Sequence, residues 1–279
     1  MKKLGLIAGG GGLPEEVAER CARIGRPLFV IRLKGFAKAE LARFEGAEAG
    51  LAELGKCIRL LRKSGCEAVC FAGQVSRPDF AALIPDARGL AALPGAVKAA
   101  RQGDDALLRY LVGEFEKEGF AVEGAHEITG ELALPAGPLG AHRPREEDRA
   151  DVERALEVAR AIGRLDIGQA AVVCRGLVLG VEAQEGTAAL LRRIAELPTE
   201  IRGGSGDHAG VLAKAPKPIQ ELRVDMPVIG PDTVAAAARA GLAGIAGEAG
   251  RLLVVDRTAT IAAANALGLF IVGVEPPTT

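Results

Sequence analysis

Tryptophan is absent from this 279-residue chain, tyrosine occurs once, and aromatic residues make up 3% of it. Base-stacking platforms and aromatic sugar clamps need several exposed rings and are therefore not expected. A charge excess is lacking too. Thirty-five Lys and Arg stand against 36 Asp and Glu, whereas a dedicated nucleic-acid binder needs a basic surplus for its phosphate contacts. No apolar run approaches the ~18 residues of a membrane span. The five cysteines (Cys21, Cys57, Cys66, Cys70 and Cys174) show no pairing pattern. Cys66-x-x-x-Cys70 is one residue too wide for a thioredoxin-like pair and has no second half for a zinc site. Small buried thiols in a reducing cytosol are the expectation. Histidine is confined to His126, His142 and His208, too few for a His-rich two-metal phosphoesterase. Neither a Gly-x-Ser-x-Gly elbow nor His-Glu-x-x-His occurs. The apolar start after Met1-Lys2-Lys3 is cut by four glycines and then by Glu15 and Glu16, which argues against a signal peptide. A soluble, cytoplasmic protein is expected.

What is present is aliphatic and rich in glycine: apolar residues reach 49%, and there are 37 glycines to shape turns. The length favours two domains. Leu4–Ala8, Leu28–Leu33, Ala68–Ala72 and Phe120–Val122 are apolar strand candidates that alternate with helical stretches. That alternation predicts a parallel sheet with right-handed crossovers, a Rossmann-like N-terminal domain over residues 1–133. Pro135, Pro138 and Pro144 among Gly137, Gly140 and a run of charges mark a connection, placed at 134–143. Residues 144–279 read as a second, mixed α/β domain, with a hairpin at Gly176 between strands near 168–174 and 177–183. The active site is expected in the interdomain cleft.

Several segments carry candidate chemistry. Gly9-Gly10-Gly11-Gly12-Leu13-Pro14 follows the first strand, so backbone N–H groups and a helix start could receive a phosphate there. It is neither a P-loop nor the dinucleotide fingerprint, and Arg32 and Lys34 stand where an NAD-binding acid would be. Ala72-Gly73-Gln74-Val75-Ser76-Arg77-Pro78 lies beyond the carboxyl end of the third strand predicted, with amide donors on Gln74 and a phosphate-suited fork on Arg77. Asp104 and Asp105 open a helix; a cap would explain one of them, and ligation of a hard divalent cation is the functional alternative. Between 206 and 233, Pro216, Pro218, Pro227 and Pro231 forbid a regular helix. They are expected to hold Lys214, Lys217, Arg223 and Asp225 on a stiff, extended backbone, where the cations could clamp phosphate while Asp225 binds a metal or orients a water. Glu182 and Glu185 with Thr187 place two carboxylates and a hydroxyl at a strand end.

Taken in order and spacing, these segments resemble the two-domain UDP-2,3-diacylglucosamine pyrophosphatase family of lipid A biosynthesis, which is unrelated to the metallophosphoesterase-fold enzymes that perform the same net step. The resemblance spans nearly the whole chain. It rests on Gly9–Pro14, Ala72-Gly-Gln-Val-x-Arg-Pro78, Gly103-Asp-Asp105, Asp166-Ile-Gly-Gln-Ala-x-Val-Val173, Val181-Glu-Ala-x-Glu-Gly-Thr187 and Lys217-Pro-x-Gln-x-x-Arg-x-Asp225-x-Pro-x-Ile-Gly230. The chain has Ala188 and Glu221 where the family often has Asp. The resemblance implies Mg²⁺-dependent (or Mn²⁺-dependent) hydrolysis to UMP and 2,3-diacylglucosamine 1-phosphate (lipid X), with water attacking the β-phosphorus. Asp225 is then the first choice for the metal, with Asp104 or Asp105 second. Gly10, Gly11, Gly12, Gln74, Gln169, Thr187, Lys214 and Lys217 would contact phosphate, sugar or uridine. A homodimer and peripheral contact with the cytoplasmic face of the inner membrane accompany this expectation. The competing readings are an NADP-dependent reductase and a non-catalytic lipid carrier.

Overall fold

A computed structural model describes the chain apart from residues 77, 78, 205, 218–220, 278 and 279. Its described residues divide into two compact units, Met1–Gly130 with Glu221–Asp225, and Glu131–Gln220 with Met226–Thr279. Both are α/β, as the strand and helix pattern predicts. No helix among the described residues is long and apolar enough to cross a membrane.

The first unit holds strands β1 (Leu4–Ala8), β2 (Leu28–Leu33), β3 (Gly46–Ala49), β4 (Ala68–Ala72) and β5 (Ala121–Val122). Its helices are α1 (Leu13–Arg23), α2 (Leu54–Lys63), α3 (Ala87–Ala100), α4 (Asp104–Lys117) and α5 (Ala125–Thr129). The sheet runs β3-β2-β1-β4-β5, with every pair parallel. Central parallel strands are covered on both faces, which is why β1 reads as an unbroken apolar run and is buried at every residue. One face packs Ile7, Ile31 and Val69 against Leu54, Ile58 and Leu61 of α2 and against Val112 and Phe115 of α4. All five thiols are buried. Loss of water pushes Cys57 up to about 12 and Cys66 up to about 11, so both stay protonated and unreactive at neutral pH.

Asp86 caps two helices at once. Its carboxylate accepts from Gly89 N at 2.8 Å at the start of α3, and from Lys56 N at 2.7 Å and Gly55 N at 3.2 Å at the start of α2. Burial alone would raise its pKa, but the three N–H donors prevail and hold it below the usual carboxylate range. Losing two caps at about 1 kcal/mol each predicts that Asp86→Ala costs roughly 2 kcal/mol. Because the folded pKa is depressed, this stabilisation is present above the unfolded value near ~3.9 and is lost as pH falls through the folded one. Urea midpoints of wild type and variant should therefore converge on acidification. A gap that persists to the lowest pH would refute the account.

The second unit holds strands β6 (Gly137–Pro138), β7 (Ala170–Cys174), β8 (Leu177–Val181), β9 (Val211–Lys214), β10 (Val228–Ile229), β11 (Gly244–Glu248), β12 (Leu253–Val254) and β13 (Phe270–Val274). Its helices are α6 (Glu146–Arg164), α7 (Gly186–Ala195), α8 (Thr199–Arg202), α9 (Pro231–Arg239) and α10 (Arg257–Leu267). The sheet order is β6-β13-β11-β9-β7-β8. Strands β9, β11 and β13 run parallel, while β6, β7 and β8 are antiparallel to their neighbours. Alternation along β9 divides two cores. Val211 and Ala213 meet Val152, Ala155, Leu156 and Ala159 of α6. Leu212 packs with Leu190, Leu191 and Ile194 of α7 and Val234 of α9. The hairpin turn between β7 and β8 has both Arg175 and Gly176 at positive φ (50° and 78°), as a two-residue turn matched to the strand twist requires.

Two expectations change. The stretch 134–143 is not a free connection: Leu134 and Leu139 are core residues, and Gly137–Pro138 pairs with Gly273 and Val272 at the sheet edge. Pro138 is tolerated there because an edge strand need not donate on its outer side. Nor is Lys214 on an extended loop, since it ends the buried inner strand β9.

Candidate functional site

In the first unit the glycine turn and the loop after β4 are fastened together. Gly9 N donates to Ala72 O at 2.8 Å, Gly10 N to Gln74 O at 2.8 Å, and Gln74 N to Gly10 O at 2.9 Å. The two segments leave β1 and β4, the adjacent strands at which the order 3-2-1-4-5 reverses direction. Open α/β sheets bind their ligands at the carboxyl ends of such strands. A side chain on Gly11 or Gly12 would meet nothing within 4 Å, so the turn borders open space. Gly73 shows why this closure needs glycine. Its φ is +95°, and a Cβ there would lie 2.5 Å from Gly10 O and 2.9 Å from Gly9 C. The strain alone is worth about 1–3 kcal/mol. Gly73→Ala is thus expected to lower thermal stability and to part the Gly10–Gln74 bridge; hydrogen exchange at the Gly10 and Gln74 amides that matches wild type would disprove this. Arg77 lies outside the described residues.

The second group forms around α4 and the segment Glu221–Asp225 that belongs to this unit. Asp105 is 2% exposed. Its Oδ1 accepts from Glu221 N at 2.8 Å, and its Oδ2 is ion-paired at 2.8 Å with Arg109 Nη2, one helical turn on. Arg223 forks onto Glu221 through Nε and Nη2, both at 2.9 Å, and reaches Glu116 through Nη1 at 2.9 Å. These bonds raise the Arg223 pKa further and hold the Glu221 carboxyl below its usual range, with Arg223 as the leading cause. The turn closes on itself, since Val224 N and Asp225 N donate to Glu221 O at 2.9 and 3.1 Å. Asp225 is half-buried within it, and Asp104 opens α4.

A three-carboxylate metal cage does not fit this geometry. Asp105 Oδ1 is taken by the Glu221 N–H and Oδ2 lies at ion-pair distance from Arg109, and no three His, Cys, Asp or Glu side chains among the described residues converge as metal ligands. A Mg²⁺ ion that keeps its waters and takes phosphate oxygens needs only one or two carboxylates, and Asp225 is of the right hard-oxygen chemistry for one of them.

In the second unit, four expected residues meet at the carboxyl end of β9. Lys214 and Glu182 are each 5% exposed. Lys214 Nζ donates to Thr187 Oγ1 at 2.9 Å and to Val228 O at 3.1 Å. The Thr187 hydroxyl donates to Glu182 Oε1 at 2.6 Å, and Gln169 N donates to Glu182 Oε2 at 3.2 Å. Antiparallel pairing supplies the meeting point, because Ala170 of β7 lies opposite Lys214. The Gln169 Oε1 atom is buried and has no hydrogen-bond partner. Lys217 Nζ pairs with Asp166 Oδ1 at 2.5 Å. In this conformation Lys214 is thus one end of a buried relay to Glu182 through a shared hydroxyl. Ala188 is exposed on α7. A polar cavity of about 330 Å³ lined by His142, Arg143, Arg145, Asp148, Asp207 and His208 sits instead near the amino ends of β11 and β13, beside Ala243 and Phe270.

Sequence reasoning overlooked Arg109, Glu116 and the pairing role of Glu221. The i, i+4 spacing of Asp105 and Arg109 was the available signal.

Residues 3–132 match the LpxI N-terminal domain family model, and residues 135–272 match the LpxI C-terminal domain model. The chain is 64% identical over 276 residues to a protein of Caulobacter vibrioides named UDP-2,3-diacylglucosamine pyrophosphatase LpxI, covering 99% of each chain. Among solved structures, CobK precorrin-6A reductase aligns at 13% identity and TM-score 0.34, over 100% of this chain and 90% of that one. N5-carboxyaminoimidazole synthase from Aspergillus clavatus aligns at 14% identity and TM-score 0.26, over 66% and 41%.

Proposed function

The chain belongs to the LpxI family, and on that premise we propose that it hydrolyses UDP-2,3-diacylglucosamine to UMP and 2,3-diacylglucosamine 1-phosphate in lipid A biosynthesis. The observation that carries this reading is the 64% identity over 99% of a relative named for that pyrophosphatase activity. The reaction consumes one water, which attacks the β-phosphorus. The phosphoric anhydride breaks, and the bridging oxygen departs with UMP. No covalent enzyme intermediate is required.

The glycine turn and the Gln74 loop support the reading, since backbone N–H groups beside open space suit phosphate oxygens. Asp225 is assigned to the reacting end of the substrate, with Asp104 beside it in role. When bound, Mg²⁺ would be held by Asp225 and the substrate's own oxygens and would neutralise charge on the pyrophosphate. Gln169, Thr187, Lys214 and Lys217 are assigned to substrate contact. A diacylated substrate favours peripheral contact with a lipid surface.

The test is direct. Purified protein is incubated with UDP-2,3-diacylglucosamine and MgCl₂, and UMP is followed by chromatography. UMP should appear, cease with EDTA, and in ¹⁸O-labelled water leave the label in the sugar phosphate. Retention of the lipid without UMP would overturn the hydrolase in favour of a carrier.

A further inference from the structure

We infer that Asp105 is a positioning residue that fixes the catalytic turn, and not a ligand of the metal; this rests on the assignment of Asp225 above. The geometry is a chain of two short links. Asp105 Oδ1 receives the N–H of Glu221 at 2.8 Å, and the carbonyl of that same Glu221 receives the N–H of Asp225 at 3.1 Å. Holding the Glu221 peptide from one side therefore orients Asp225 from the other. The partners are 116 residues apart in sequence, so this bond is one of the tertiary contacts that tie the segment Glu221–Asp225 to the first unit.

The surroundings fit an anchor better than a ligand. A metal-binding carboxylate must present a lone pair to the ion, yet Asp105 is 2% exposed. Its Oδ2 is buried without a well-aligned hydrogen bond, held at ion-pair distance by Arg109, whose own side chain is half exposed. Burying an ionised carboxylate is costly unless it is paired and hydrogen-bonded. Here the pairing comes from Arg109 and the hydrogen bond from the turn. Around the turn, Arg223 bridges Glu221 and Glu116, and Val224 packs on the core of the same unit. The segment is thus pinned at its first residue, its third and its fourth. Misplacement of a reacting group by about 1 Å can cost roughly 100-fold in rate.

The two substitutions at this position separate the roles. Asp105→Asn keeps an oxygen to accept the Glu221 N–H, whereas Asp105→Ala keeps none. A positioning role predicts kcat reduced about 30- to 100-fold in Asp105→Ala with KM within about threefold, and kcat restored to within about threefold of wild type in Asp105→Asn. The Mg²⁺ concentration for half-maximal rate should be unchanged in both. Hydrogen exchange supplies a readout independent of turnover: the Glu221 and Asp225 amides should exchange faster in Asp105→Ala and at the wild-type rate in Asp105→Asn. Equal impairment of both variants with a raised Mg²⁺ requirement would make Asp105 a ligand and overturn the inference. Unchanged exchange in Asp105→Ala would overturn it as well. Should Asp105→Ala not fold, Asp105→Asn decides alone, because a loss of 30-fold or more there contradicts the anchor. Wild-type protein that makes no UMP would refute the proposed function, and the exchange measurement would still judge the anchor.

Discussion

Asp225→Ala is expected to fold normally and to hydrolyse UDP-2,3-diacylglucosamine at least about 100-fold more slowly than wild type, with a smaller change in KM. The magnitude is that of removing a positioned carboxylate that holds the metal or orients the attacking water. The fold should tolerate the change because backbone and neighbours hold the turn. The bond from Asp225 N to Glu221 O survives any side chain but proline, and Glu221 remains fastened to Asp105 and Arg223. Met226 and Pro227, which follow, are buried. A stability change within about 1 kcal/mol is therefore anticipated, in the range of substitutions outside a core. Asp225→Asn adds discrimination: it preserves size and an acceptor oxygen while removing the charge, so a role that depends on charge predicts a loss nearly as large as in alanine. Turnover within threefold of wild type in both variants would remove Asp225 from the reaction. Loss of turnover accompanied by unfolding would make its role structural.

The sequence exposed the fold unevenly, and the reason lies in what signals burial. β1 and β4 were readable to the residue because parallel strands covered on both faces must be apolar throughout, and β2 departs from that only at Arg32. β11 is equally buried, but its residues are GIAGE, a composition that carries no strand pattern. Glycine is needed there because the Phe270 ring lies 2.4 Å from where a Gly244 Cβ would be. Helix α3 carries no clear helical signal because Gly89, Pro94 and Gly95 are poor helix formers, although the helix runs through them. Among the candidate residues, Gly10, Gln74 and Asp104 lie at the strand and helix ends where the pattern puts them, Lys214 lies in a strand instead of a loop, and the pairings were not legible. That Asp105 answers to Arg109 and Glu221 depends on a contact 116 residues apart. That Lys214 meets the Thr187 hydroxyl held by Glu182 depends on the antiparallel register of β7 against β9. Local pattern names the candidates, whereas tertiary pairing decides which charges are spent inside the fold.

That distinction makes Lys214→Met the substitution with the largest expected effect on stability. Methionine matches the length and apolar stem of lysine, so the change subtracts mainly the ammonium group. What stays behind is the Glu182 carboxylate, 5% exposed, with the Thr187 hydroxyl and the Gln169 N–H as its hydrogen-bond donors. Thr187 Oγ1 also loses a donor, as does Val228 O. Removing one member of a buried ionic arrangement typically costs about 3–5 kcal/mol, because the other charge is stranded in a poor solvent. The network itself need not be stabilising against apolar residues of similar volume. The double variant Lys214→Met/Glu182→Gln removes the stranded charge and should therefore be more stable than Lys214→Met alone, recovering more than half of the loss. Denaturant midpoints of the four proteins form a double-mutant cycle whose coupling term should reach 1 kcal/mol or more, as for residues in one polar network. Lys214→Met with wild-type stability, or a double variant no better than the single, would show that the ammonium does not compensate Glu182. If the cycle behaves as expected, substrate binding at this point has a physical constraint: any phosphate that recruits Lys214 draws the ammonium from Thr187 Oγ1 and Val228 O, while the Thr187 hydroxyl and the Gln169 N–H are the donors placed to remain on Glu182.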